Sequence, residues 1–215
     1  MAVTSVFEVT CCPVTGNSVP MQLRFIDEFE HGFGWHREGE RLRRTSHAVR
    51  AGETVWLTDV VDGPGIDERI GALGEPAAVV QLIDRHKRDC AAVAERLGIA
   101  LHVTPFTDVP RAPFVVLPIA RRMLWREIAI WFPGERILVC GDALGSLSYF
   151  RARGEPFGVH PLLRLAPPRR ALAGLEPEHI LFGHGEGVHG SEAASALREA
   201  LATARRRLPR ALLPH

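Results

Sequence analysis

A chain of 215 residues that is 46% hydrophobic and 24% charged has enough apolar surface to close a core without staples. Its formal net charge of +1 and the absence of a long basic stretch give no reason to expect nucleic acid as a partner. No apolar run reaches the roughly 18 residues a spanning helix needs, and Pro13 and Pro20 break up the N-terminus where a signal peptide would be continuous, so a cytoplasmic protein with no membrane partner is expected.

In chain order, Val3–Cys11 reads as a strand with a turn at 13–17, and Leu23–Phe29 as a second strand. The segment 30–44 carries Gly32, Gly34 and Gly39 among charges and reads as an exposed excursion, with His31 and His36 as surface-loop histidines. Ser46–Val49 and Thr54–Val61 flank a glycine-containing turn and predict a hairpin. Asp62-Gly63-Pro64-Gly65 breaks the chain, after which Ile66, Ile70 and Leu73 mark a short helix closed by Gly74.

The stretch from Gln81 to Leu97 is the one the rest of the chain is organised around. Val79, Val80, Leu82 and Ile83 form a continuous, mostly β-branched run, as expected of a strand covered on both faces. Cys90, Val93, Ala94 and Leu97 recur at helical spacing before Gly98. Between them lies a loop dense in charge, Asp84 to Asp89, at the strand's C-terminal end, where open sheets place ligands. Strands are expected at Ile99–Thr104 and Phe114–Ile119, and Trp125–Phe132 and Ile137–Cys140 form a second hairpin whose exit carries Asp142. An irregular lid-like stretch from Leu144 to Pro168 leads to a last strand, His179–Phe182, ending in Gly183-His184-Gly185. Ser191 then caps a helix ended by Pro209, whose Arg205-Arg206-Arg207 run reads as a solvated face. Cys11, Cys12, Cys90 and Cys140 are irregularly spaced, as expected of reduced thiols.

Three strand ends therefore carry groups that bind divalent metals: the loop around Asp89, then Asp142, then His184. Asp89 also suits a helix N-cap and Asp142 a turn, whereas His184 between two glycines is harder to explain structurally. His47, His102, His160, His179 and His189 show no consistent spacing and read as structural or surface imidazoles.

Taken together, Leu57-Thr58-Asp59, the strand-loop-helix at 81–97, Gly141-Asp142 and Gly183-His184-Gly185 resemble the metallo-β-lactamase fold superfamily. The resemblance spans Thr45 to Leu208 and implies a four-layer αββα sandwich of the α+β class. It implies one domain over 1–215, with 1–44 adding N-terminal strands and a loop. The family's His-x-His-x-Asp-His motif is degenerate here. Anchored on Asp89, it places Arg85 and Lys87 where the first two histidines stand and Cys90 where the last stands. Cations cannot ligate a metal at neutral pH, so half of a two-metal site should be absent.

The ligand set implied by the remainder is Asp89, Cys90, Asp142 and His184, with His86 joining if the loop is shifted. Arg85 and Lys87 would grip an anionic substrate group, and Asp89 would be both ligand and catalytic residue. Zinc is the expected ion, with iron or manganese as alternatives, and the activity implied is a mononuclear metal-dependent hydrolase of a small molecule. A second reading is an inactive homologue that binds an anionic ligand, with Lys87 or Arg85 replacing the metal. A third is an unrelated α/β domain whose Asp and His are caps and turns. Leu162, Leu163 and Leu165 are candidates for a homodimer contact.

Overall fold

The computed structural model describes residues 22–211. The strand expected over Val3–Cys11, the turn after it, Cys11 and Cys12 lie outside the described residues. The first sheet takes β1 (Leu23–Phe29), β2 (Gly32–Arg37), β3 (Ser46–Ala51) and β4 (Thr54–Thr58). Helix α1 (Ile66–Leu73) leads to β5 (Glu75–Gln81), and α2 (Cys90–Leu97) to β6 (Ala100–Val103). The six strands lie in chain order, antiparallel as far as β4 and parallel from β4 to β6. The parallel connections are the ones that need helical crossovers.

The second sheet begins with β7 (Val115–Arg122), β8 (Trp125–Phe132) and β9 (Ile137–Cys140). A small ribbon comes next, β10 (Leu144–Gly145) on β11 (Gly158–Val159), then α3 (Arg169–Leu172). Strands β12 (His179–Phe182) and β13 (Val188–His189) complete this sheet in the order β13-β12-β9-β8-β7, and α4 (Ala193–Ala211) ends the described chain.

Strand periodicity sorts the apolar side chains into three layers of contact. Val49, Trp56, Val80 and Leu82 meet Ile128, Ile130, Phe132 and Val139 between the sheets. The alternate residues Val55, Leu57 and Val79 face outward onto Ile66, Ile70, Val93 and Ala94 of α1 and α2. On the far side Leu138, Cys140, Ile180 and Phe182 pack on Leu197, Leu201 and Ala204 of α4. The result is the αββα sandwich. No helix among the described residues is long and apolar enough to cross a membrane.

Two local expectations are corrected. Residues 32–37 are not part of an exposed excursion, because β2 is a buried strand in which Trp35 is fully enclosed and donates Nε1–H to the Val61 carbonyl at 2.8 Å, whereas 38–44 is largely exposed and irregular as expected. The glycines of β2 mark close approach instead of a loop: a Cβ on Gly32 would collide with the Ala48 carbonyl, and one on Gly34 would meet the His47 ring at 3.0 Å. His36 is accordingly buried. Helix α4 also continues past Pro209 to Ala211. In the last turn a proline removes one backbone hydrogen bond without having to be followed by many more turns.

Candidate metal centre

Parallel pairing of β4 with β5 and of β9 with β12 puts their C-terminal ends at one rim. Asp59 follows β4, the 82–89 loop follows β5, Asp142 follows β9 and His184 follows β12. Thr45 N–H donates to the Gly183 carbonyl at 2.9 Å and so draws the two sheets together there. Close approach also explains the glycines beside the polar residues. A Cβ on Gly183 would lie 2.9 Å from the Gly141 carbonyl and 3.1 Å from the His86 ring.

His86, Asp142 and His184 converge, with one ligand atom of each within 4.8 Å of the others. Asp142 Oδ1 stands 3.0 Å from His86 Nε2 and 3.2 Å from His184 Nε2. The tautomers are set by the partners on the other side of each ring. His86 Nδ1 lies 2.8 Å from Asp59 Oδ2, and His184 Nδ1 lies 2.7 Å from the Leu42 carbonyl. An ionised carboxylate and a carbonyl only accept, so each Nδ1 carries a proton, and each ring turns its Nε2 toward Asp142. Arg88 Nη2 also approaches His86 Nδ1, at 3.2 Å. That longer contact yields to the shorter one with Asp59. Asp142 Oδ1, although buried, makes no hydrogen bond of acceptable geometry. Two ring nitrogens and a carboxylate oxygen facing one another need a cation between them, either a metal ion or added protons.

The electrostatics say how strongly. Burial opposes charging of His86, but Asp59 and Asp142 outweigh it and raise its pKa above the usual imidazole value. Burial likewise acts to raise Asp142, yet His184 and His86 hold its carboxyl well below the usual range. Without metal the cluster therefore attracts protons. A metal would compete with them and bind more weakly as pH falls.

Cations frame the cluster. The Arg88 guanidinium donates to the carbonyls of Thr45 (2.6 Å), Asp59 (2.7 Å) and Gly183 (3.1 Å), pinning three strand ends together. Arg85 lies over the Trp125 ring, and its Nη2 reaches Asp142 Oδ2 at 3.3 Å. Lys87 is exposed.

Asp89 and Cys90, expected among the ligands, stand elsewhere. Asp89 is the N-cap residue of α2 but its side chain makes no cap bond. Its Oδ2 instead accepts from Arg37 (2.9 Å) and from Asp62 N–H (2.9 Å). Cys90 packs against α1 and β4, and burial pushes its thiol up to about 12. A thiol so held is a packing group at neutral pH.

Three further residues stand near the cluster: Asp59, which the sequence offered only as an acidic strand end, His160, read there as a structural or surface imidazole, and Glu127, which it did not single out. Asp59 orients His86 while its Oδ1 accepts from Leu82 N–H at 2.8 Å. His160 lines a cavity of about 170 Å³ with Leu42, Asp142, Leu147, Tyr149, Phe150 and His184. Its Nδ1 accepts from Leu162 N–H, leaving Nε2–H toward Tyr149, and burial lowers its pKa to about 4, so the ring is neutral. Glu127 is fully buried in β8 and accepts from Trp125 Nε1–H and Ala143 N–H.

Burial, and then the charge of Asp142, push Glu127 up to about 8 from 4.5. An acid raised on folding keeps a proton that the unfolded chain has released. Its contribution is complete below pH 4.5 and is lost as pH climbs to about 8. In metal-stripped protein the urea midpoint is expected to fall across that window, and Glu127→Gln to flatten the fall. An unchanged slope in the variant would remove Glu127 as its source.

His47 and His189 lie beside Asp27, and His179 beside His189, apart from the His86, Asp142 and His184 cluster. His189 Nε2 is 3.3 Å from Asp27 Oδ1, and the His179 and His189 Nδ1 atoms are 2.9 Å apart.

No family model matches the chain, and no curated protein does. Among solved structures it is similar to DIM-1 metallo-beta-lactamase, at 14% identity and a TM-score of 0.58, over 87% of this chain and 97% of that one. It is similar to TMB-1 at 12% identity and a TM-score of 0.54, over 86% and 98%. It is similar to VMB-1 at 14% identity and a TM-score of 0.54, over 85% and 96%. At such identities the likeness is one of architecture, and together with the two facing sheets and the His/Asp/His rim it shows that this chain has the metallo-β-lactamase fold.

Proposed function

We propose that the chain is a hydrolase holding one divalent metal ion on His86, Asp142 and His184, acting on a small molecule with an anionic group. The observation that carries this reading is the orphaned Asp142 Oδ1 between two imidazoles whose Nδ1 protons are already committed. A two-nitrogen, one-carboxylate set with one side open to a cavity suits zinc first, and also iron or manganese. Such an ion supplies Lewis acidity and a hydroxide nucleophile at neutral pH.

The chain's own residues supply the rest. Asp59 and the Leu42 carbonyl fix the two rings, the kind of outer support that sets ligand orientation. Arg85, half exposed at the rim, meets the substrate anion. Neutral His160 offers a fixed Nε2–H to an oxygen that gains charge. Leu147, Tyr149 and Phe150 line the cavity and give it an apolar wall.

Metal analysis of protein purified without chelator tests the reading, followed by an ester, lactone, lactam and phosphodiester panel before and after stripping. About one ion per chain and a hydrolysis that stripping abolishes are expected. Metal-free protein that still binds phosphate or a carboxylate would instead make this an anion-binding module.

A further inference from the structure

We infer that the β7–β8 hairpin is a docking prong for an anionic membrane surface. Arg122 pairs with Trp125, so Met123 and Leu124 are the two residues of the turn. They are 91% and 78% exposed, the highest values among the exposed large apolar side chains of the described residues. Single exposed apolar side chains are ordinary, but this pair is not explained by the turn. Two-residue hairpin turns favour Asn-Gly and other glycine-containing pairs for conformational reasons, and Met-Leu offers none of that advantage. Folding gains nothing from them here, since they cover no core.

The residues beside them carry the charge. Arg121, Arg122 and Arg126 are exposed, and none pairs with a carboxylate among the described residues. Arg121 and Arg126 both lie over the Phe106 ring, at 5.0 and 5.1 Å, which holds their guanidinium groups at the base of the prong. In a chain of net charge +1 this is a local concentration. Nucleic acid would use the arginines and leave Met123 and Leu124 in water. A bilayer uses both, with anionic headgroups at the arginines and the two apolar tips in the interface. Arg85 Nη1 reaches the Leu124 carbonyl at 3.4 Å while its Nη2 reaches Asp142, so docking by the tip sets the cavity rim beside the lipid. The inference reverses the expectation of no membrane partner, and it stands on surface residues whether or not a metal is bound.

Cosedimentation of the full chain with vesicles tests it, using phosphatidylcholine alone and phosphatidylcholine mixed with phosphatidylglycerol. Binding is expected only to the mixed vesicles and should weaken as salt is raised. The Met123→Ser, Leu124→Ser double variant should lose about tenfold in partitioning, and Arg121→Gln with Arg122→Gln a similar factor. Both pairs are exposed, so circular dichroism should match the wild type. Absence of wild-type binding to mixed vesicles overturns the inference, as does binding that the Met123, Leu124 variant leaves unchanged. A concentration-dependent dimer that this variant renders monomeric, without vesicle binding, also overturns it and assigns the prong to a second copy.

Discussion

Asp142→Ala is expected to weaken metal binding by about a thousandfold, measured by competition with a chromophoric chelator. Apparent zinc affinities of roughly 10–16 kcal/mol divided over three protein ligands make one ligand worth about 4 kcal/mol, or about three decades. Asp142 is also the only anion of the three, so its loss leaves two neutral imidazoles with no charge to offset the ion. Asp59→Ala, which frees His86 Nδ1, should cost less, about 10–100-fold. Asp89→Ala should leave the affinity unchanged, because its carboxylate is committed to Arg37 and the Asp62 amide. In metal-free protein a second readout is independent of affinity: the His86 pKa, raised in part by Asp142, should fall in Asp142→Ala when followed by NMR. Full affinity in Asp142→Ala, or a loss in Asp89→Ala equal to it, would remove the cluster as the metal site.

The contrast between Asp142 and Asp89 shows where the sequence was legible. Strand ends carrying Gly141-Asp142 and Gly183-His184 stood out because the chain needs glycine there, at Gly183 where it approaches the Gly141 carbonyl and the His86 ring, and at Gly141 where it approaches the Glu127 carboxyl. The layers were legible too, since the run of Val79, Val80, Leu82 and Ile83 announced a strand covered on both faces and the family resemblance implied the four-layer sandwich. The 82–89 loop was not, because the motif anchored on Asp89 fits only if the chain keeps the family's path through the loop. It turns instead, with His86 N–H bonded to the Ile83 carbonyl and Cys90 N–H to that of Lys87. Arg88 takes a positive φ of 43°, a conformation that nothing in an arginine announces. The residues facing into the cluster are therefore His86 and Arg88, while Arg85 reaches Asp142 from the rim and Asp89 turns to Arg37. Strand β2 was lost for the opposite reason: its glycines were read as breakers when they answer to the Ala48 carbonyl and the His47 ring. Glu127 left no trace because a single acid in an apolar strand has the same local pattern whether it points outward or, as here, into the core.

Arg164→Ala is expected to destabilise the fold by about 3–5 kcal/mol in chemical denaturation, the range for removing one partner of a buried ion pair. Arg164 is wholly buried and Glu155 nearly so, with Nη2 to Oε2 at 2.6 Å and Nη1 to Oε1 at 3.3 Å. Arg164 also donates to the Phe150 carbonyl at 2.7 Å, and Glu155 accepts from Ala152 N–H at 2.6 Å. The 146–168 stretch has little regular structure, so this pair serves as its core and sets where Leu147, Tyr149, Phe150 and His160 stand along the cavity. Arg207, 3.5 Å from Glu155 Oε1, offers only partial compensation. The Arg164→Met, Glu155→Leu double variant should lose less than Arg164→Ala, because no charge is then stranded. His86, Asp142 and His184 all lie outside this stretch. Metal affinity should therefore survive in folded Arg164→Ala within about the tenfold that lost outer support can cost, while the cavity wall loosens and substrate KM rises. A loss under about 1 kcal/mol, the usual worth of an exposed pair, would mean that the stretch is held by its apolar contacts alone.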